Sequence, residues 1–232
     1  MIYRIYMRSI FLTCFCMSVL FPAFSQVDSV NLVKYTPDFR FKEGVFVNFE
    51  QVKNNQPIPK SRVLTDVSYD DPYFFDRIVE KKRLYYYDNY GVKQEIQISD
   101  IWGYSRNGVL YVGMNEGFYR ITIIGSICHF VANLTTYNSN YQYYPYYDYY
   151  DYYSPYHMRQ TPRTTNEMRQ YIMDFSTGKV MEYDVAGVEV LLMKDPELHD
   201  EFVSLKNKKK KQLKFLYIRK FNERNPLYLS TN

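Results

Sequence analysis

The chain has 232 residues, is 19% aromatic with 27 Tyr and 16 Phe, and carries a formal net charge of +4. That length suits one large domain or two small ones with a sizeable core. So small a charge excludes the clustered basic footprint of a nucleic-acid binder, and so much tyrosine favours sheet over helix, because a ring fits a pleated, half-buried surface.

The first 25 residues read as a secretory signal peptide. Arg4 and Arg8 form a positive start, Ser9 to Phe24 carries no charge, and Ala23-Phe24-Ser25 sets small residues before Gln26, as a signal peptidase requires. The apolar core of about 15 residues falls short of the ~20 that span a bilayer. Cleavage near Ser25/Gln26 predicts a secreted or periplasmic protein. It removes both arginines, which leaves a net charge of +2. It also removes Cys14 and Cys16, so Cys128 is alone and the fold has no internal disulfide. No other long apolar segment follows, so no transmembrane segment is expected after cleavage.

Residues 26–232 are expected to form a single β-rich domain. Gln26 to Asp38 is polar and reads as a lead-in. Glu43 to Val52 alternates, with Val45, Val47 and Phe49 on one side, and predicts a first strand ended by Asn54-Asn55-Gln56-Pro57. Asp71-Pro72 looks like a helix cap followed by the first helical position. From Arg83 to Ala132 the chain is run after run of β-branched and aromatic residues broken by turns. Asp88-Asn89-Tyr90-Gly91 joins Leu84–Tyr87 to Val92–Ile98. Asn107-Gly108 joins Trp102–Ser105 to Val109–Gly113, because both residues accept positive φ. Asn115-Glu116-Gly117 leads into Phe118–Ile124, and Gly125-Ser126 allows a bulge before Ile127–Ala132.

Residues 135–165 break the pattern. They hold 11 tyrosines among Asn, Asp, Pro and Ser, with almost no aliphatics. This is a low-complexity, tyrosine-rich insertion between two strands of the same sheet. Strands resume at Arg169–Phe175 and Lys179–Asp184 around Ser176-Thr177-Gly178. Residues 186–225 form a helical C-terminal segment. Asp184 and Asp195 are caps, Lys206 to Lys211 interrupts the apolar stripe with a break near Asn207, and Asn225-Pro226 stops the last helix. The fold class is mainly β with C-terminal helices (α+β), as one antiparallel meander sheet or a partly closed barrel of about eight to ten strands.

Several stretches together resemble a family of secreted proteins of Bacteroidetes-type bacteria to which no activity is attached. They are Ala23-Phe24-Ser25-Gln26, the segment Phe39 to Val52, Ile101-Trp102-Gly103-Tyr104 with Phe118-Tyr119-Arg120-Ile121, and the closing Phe221 to Tyr228. The resemblance implies a compartment and a class, and no mechanism.

Chemistry-bearing patterns are few. No nucleophile elbow, phosphate loop, dinucleotide fingerprint or His-Glu-x-x-His occurs. Cys128 and His129 are adjacent on a predicted strand, so they point to opposite faces and cannot form a nucleophile–base pair. They read as a buried thiol and a sheet-surface imidazole. Glu197, His199 and Asp200 read as a solvated helix face, and so does the run Lys206–Lys211, for which contact with anionic lipid headgroups or polysaccharide is the alternative. No catalytic residue, metal or cofactor is assigned. The tyrosine segment is the one feature with an active look, since tyrosine offers a flat apolar face and a polar tip at low entropic cost. Tyr143, Tyr144, Tyr146 and Tyr147 are the candidate contacts for an envelope protein or glycan. Trp102 is a further candidate, although a lone tryptophan usually packs inward. The expected function is a non-catalytic, envelope-associated binding or scaffold protein, with no nucleic-acid partner. A hydrolase acting on a polymeric glycan or peptide is the alternative, and a cleft with converging carboxylates would favour it.

Overall fold

The computed structural model describes residues 32–115, 117–138 and 163–231. The twelve strands among them form three antiparallel sheets. The largest has seven strands: β2 (Gly44–Phe46), β6 (Gly103–Arg106), β7 (Val109–Met114), β8 (Gly117–Ile123), β9 (Ile127–Asn138), β10 (Arg163–Asp174) and β11 (Val180–Glu182). From β6 to β11 it is a meander in chain order, and β2 completes the edge beside β6. The sheet is open, with β2 and β11 as its two edges, so of the two expected forms the meander is the one adopted. A second sheet joins β3 (Val63–Leu64), β4 (Arg83–Tyr87) and β5 (Lys93–Gln97). The third pairs β1 (Leu32–Lys34) with β12 (Tyr228–Ser230). The lead-in and the tail are therefore strands that pair with each other, where the sequence suggested neither.

The helices are α1 (Phe49–Lys53), α2 (Phe74–Val79), α3 (Val185–Leu192), α4 (Pro196–Val203) and α5 (Asn207–Arg224). Among the described residues no helix is long and apolar enough to cross a membrane.

Local chemistry accounts for most boundaries. At the β6–β7 turn Asn107 has φ 53° and Gly108 φ 75°, the left-handed pair that a two-residue hairpin requires. A Cβ on Gly108 would also press on the Arg40 side chain, which would have to shift. Asp184 accepts from Gly187 N at 2.6 Å and Asp195 from Leu198 N at 3.2 Å, so both expected caps hold their helices. Asn225 is the C-cap of α5, and Pro226 follows it.

Three expected boundaries are corrected. The β9–β10 ladder runs on past Ala132 to Asn138 and begins again at Arg163, so residues 135–138 and 163–165, expected within the tyrosine-rich insertion, are paired strand, because the ladder needs backbone partners and not aliphatic side chains. The first strand stops at Phe46, because Asn48 accepts from Gln51 N at 3.0 Å while Gln51 Oε1 accepts from Val47 N at 2.7 Å. That reciprocal pair starts α1 and ends the alternation. Near Asp71 the helix begins two residues later than expected. The Asp71 carboxylate accepts from Tyr73 N at 2.8 Å and closes a turn, and α2 starts at Phe74.

Neighbouring strand residues feed different cores, as period-two geometry requires. On one face of the large sheet, Leu110, Val112, Ile121, Cys128, Phe130 and Met173 pack beneath Phe41, Val52 and Leu229. On the opposite face, Val45 and Tyr104 meet Phe74, Phe75 and Ile78 of α2 and Leu84 of β4. Farther along that face, Ile127 and Ile172 meet Leu192 of α3, Phe202 of α4, and Ile218 and Phe221 of α5. The large sheet is thus a shared middle layer, with apolar cover on both sides.

Candidate functional site

Two places could meet another molecule: a cleft at the base of the β9–β10 hairpin, beside Ile127 and Asp174, and the hairpin's far end at Asn138 and Arg163.

The cleft encloses about 540 Å³, within the usual range for small-ligand sites. Its apolar wall includes Leu32, Ile127, Phe175, Leu191, Phe221 and Leu227, and its charged groups are Glu50, Lys53, Asp174 and Lys194. Asp174 ends β10 and is buried. Its carboxylate accepts from Ser176 N (3.0 Å), Ser176 Oγ (2.9 Å), Thr177 Oγ1 (2.8 Å) and Lys194 Nζ (2.6 Å). Burial works to raise the carboxyl, but the Lys194 ammonium and the Thr177 and Ser176 donors outweigh it and hold Asp174 below the usual carboxylate range. Lys194 Nζ also donates to Ser176 Oγ at 2.6 Å.

Ser, Lys and Asp in contact invite comparison with a Ser–Lys nucleophile. The donors run the wrong way for that. A general-base lysine must be neutral and accept the hydroxyl proton, whereas here Ser176 donates to a carboxylate that also engages the lysine. The group serves as the cap of the β10–β11 turn, in which Gly178 has φ 75°. The second carboxylate of the cleft, Glu50, pairs with Lys53 at 2.6 Å. Both carboxylates are therefore held by cations, and no histidine among the described residues lines the cleft.

A second polar group joins α2 to the large sheet. Asp76 of α2 accepts from Tyr104 OH at 2.7 Å and pairs with Arg106. Tyr104 stacks between Phe75 (5.6 Å) and Tyr111 (4.7 Å). Burial, and then the Asp76 carboxylate, push the Tyr104 phenol up. Its proton is committed to that hydrogen bond, so the network pins α2 to the large sheet.

The hairpin has two unlike halves. Ile127 to Ala132 pairs with Arg169 to Asp174 between β8 on one side and β11 on the other. Beyond them the same ladder continues to Asn138 opposite Arg163. Tyr119 OH donates to Asn133 O at 2.6 Å, and Leu134 still packs on the core. Farther out the two strands pair only with each other among the described residues. Thr135 Oγ1 donates to Asn166 Oδ1 at 3.1 Å, and Met168 is 75% exposed.

The residues picked from sequence fare differently. Tyr143, Tyr144, Tyr146 and Tyr147 lie outside the described residues. Trp102 is half-buried against the first core, its ring centroid 5.5 Å from that of Phe49. Cys128 and His129 do point apart. The Cys128 thiol is fully buried, donates to Gly125 O at 3.3 Å, and is pushed up to about 12 by that burial, so it is a packing residue.

His129 is not on the surface as expected. Tyr183 covers it edge-on at 5.1 Å, with Thr122 Oγ1 3.3 Å from Nδ1 and Gln170 Oε1 3.1 Å from Nε2. His199 is also more enclosed than a solvated face implies, and its Nε2 is buried with no partner among the described residues. Glu197 pairs with Arg224, and no three metal-ligating side chains converge among the described residues. Lys210 is buried against Glu189 at 3.3 Å, whereas Lys206, Lys208, Lys209 and Lys211 are exposed.

Sequence reasoning missed Asp174 and Lys194. The available signal was an Asp opening Asp174-Phe175-Ser176-Thr177-Gly178, a turn pattern with a capping carboxylate. Lys194 carried no signal, because its meeting with Asp174 depends on how α3 lands. Comparison with protein-family models, curated proteins and solved structures finds no match for this chain.

Proposed function

We propose that the protein is a non-catalytic binding or scaffold protein of the bacterial envelope that meets a protein or glycan partner through the outer half of the β9–β10 hairpin. The carrying observation is that half itself: a paired ribbon that leaves the sheet, with no described strand or helix over it. A two-stranded ribbon is marginal alone, yet this one grows from a base buried on both faces. It brings residues 138 and 163 side by side, so the segment 139–162, which holds ten tyrosines, starts and ends at one place. Tyrosine-rich surfaces suit both proteins and sugars. The leader-like first 25 residues support export, and the resemblance to secreted Bacteroidetes-type proteins agrees with it. The ion-paired carboxylates of the cleft favour binding over hydrolysis.

The test is a glycan and envelope-protein binding panel run on two proteins. One is the chain from Gln26. The other has residues 139–162 replaced by a short Gly/Ser linker, which leaves the whole ladder intact. Binding that is lost in the shortened protein, with its melting temperature retained, is the expected result. Equal binding by both would move the site to the cleft or the helices and overturn the hairpin reading.

A further inference from the structure

From Phe202 to Asn222 the chain contains no acidic residue and eight basic ones. Most of α5 lies in this stretch. Its buried side holds Tyr217, Ile218 and Phe221 and is fully used by the third core. Four of its cations also have work to do in the fold. Lys210 pairs with Glu189, Lys214 donates to Tyr183 O, Lys220 pairs with Glu201, and Arg219 lies 3.8 Å from Glu223. Lys206, Lys208, Lys209 and Lys211 have no ion pair among the described residues.

Those four cations sit where folding would not choose them. They gather at the start of α5, whose dipole already makes that end positive. The N-cap is Lys206, which makes no side-chain cap, and α5 has no acidic residue in its first turn. By contrast α3 and α4 start on Asp184 and Asp195. Among the described helices α5 alone concentrates positive charge against its dipole, and no described carboxylate pairs with those four lysines.

The same outward face carries apolar groups. At 3.6 residues per turn, Lys208, Lys211, Gln212, Phe215 and Arg219 fall on one stripe, with Leu216 beside it. Phe215 rests one edge against His129, with ring centroids 6.3 Å apart, and is still 40% exposed, and Leu216 is 43% exposed. Cations next to outward apolar side chains on a surface helix fit an interface that is anionic outside and apolar just beneath.

We propose that the outer face of α5 is a peripheral docking surface for an anionic phospholipid bilayer. Lys206, Lys208, Lys209 and Lys211 take the headgroup phosphates, and Leu216 and the exposed edge of Phe215 enter the boundary below them. This surface is independent of the hairpin, and its test can fail while the hairpin reading stands. Charge complementarity selects an anionic partner, and the outward leucine and phenylalanine select a lipid surface over a soluble polyanion.

The test is co-sedimentation of the chain from Gln26, which keeps every described residue, with vesicles of phosphatidylcholine alone and of phosphatidylcholine with phosphatidylglycerol. Binding is expected only to the second, with a steep loss on adding salt. A variant with all four lysines changed to glutamine is expected to lose affinity on the order of several hundredfold, at about fivefold per lysine. Leu216→Ser is expected to weaken vesicle binding severalfold and leave binding to soluble heparin unchanged. Far-ultraviolet circular dichroism and melting temperature check that both variants fold, as exposed, unpaired side chains allow. Equal binding to neutral vesicles, or full binding by the lysine variant, overturns the proposal. So does a Leu216→Ser variant that binds vesicles normally, which would assign the lysines to a soluble polyanion.

Discussion

The inner and outer halves of the β9–β10 hairpin share one ladder and one register, yet they differ in nearly everything else. In the inner half Ile127, Cys128, Phe130, Ala132, Ile172 and Met173 are all buried, because cores lie on both faces and strands on both edges. In the outer half Asn133, Thr135, Asn166, Glu167 and Met168 are exposed. Backbone hydrogen bonds run along the whole length, so they cannot be the source of the difference. Their net worth is small, since each replaces a bond to water, whereas burial of apolar area carries the stability. The inner half anchors the sheet, and the outer half is left free to be a surface.

The largest expected effect comes from Phe130, which is fully buried and stacked on Tyr171 at 5.6 Å. Phe130→Ala should cost about 3 to 5 kcal/mol, read from denaturant unfolding. A cost like that of an exposed side chain would show that the inner half is not the anchor.

Next comes Asp174, at the base of the same hairpin. Asp174→Ala removes four accepted hydrogen bonds and should cost about 2 to 3 kcal/mol. The folded carboxyl lies below its usual range, so its contribution is complete above the unfolded value of about 4 and fades as pH falls through the folded one. The stability gap between the native protein and Asp174→Asn should therefore be flat near neutrality and close in acid. A gap that widens in acid would contradict the ion pair with Lys194.

The smallest effect is expected in the outer half. Met168→Ala should change stability by less than about 0.5 kcal/mol. In native-state hydrogen exchange, amides of Phe130 and Ile172 should be protected to near the global limit, and those flanking Met168 should exchange through local opening. Equal protection in both halves would mean that something covers the outer ribbon.

Much of this architecture was legible from local chemistry. Asn107-Gly108 announces a hairpin because few other pairs accept two positive φ values. Asp184 and Asp195 announce helices because their carboxylates satisfy backbone donors within three residues. Where prediction slipped, two local signals competed. Val45, Val47 and Phe49 alternate as a strand does, but Asn48 and Gln51 form a reciprocal cap, and the cap prevailed because it satisfies donors that the strand would have left open. The candidate sites were less legible. Asp174 reads as a turn residue, and only its meeting with Lys194, 20 residues away, makes it the centre of a cleft.

By itself the sequence determined the strand-rich class, the order of the meander, most turns, the starts of α3 and α4 and the basic start of the last helix. Each depends on residues within a few positions of one another, where covalent geometry and hydrogen-bond reach limit the choices. Tertiary structure alone decided that the first and last described segments pair, that the sheet stays open, that His129 is covered, and that the hairpin outruns its neighbours. Those outcomes depend on which distant faces meet, and a single chain records such meetings only as apolar residues in search of cover.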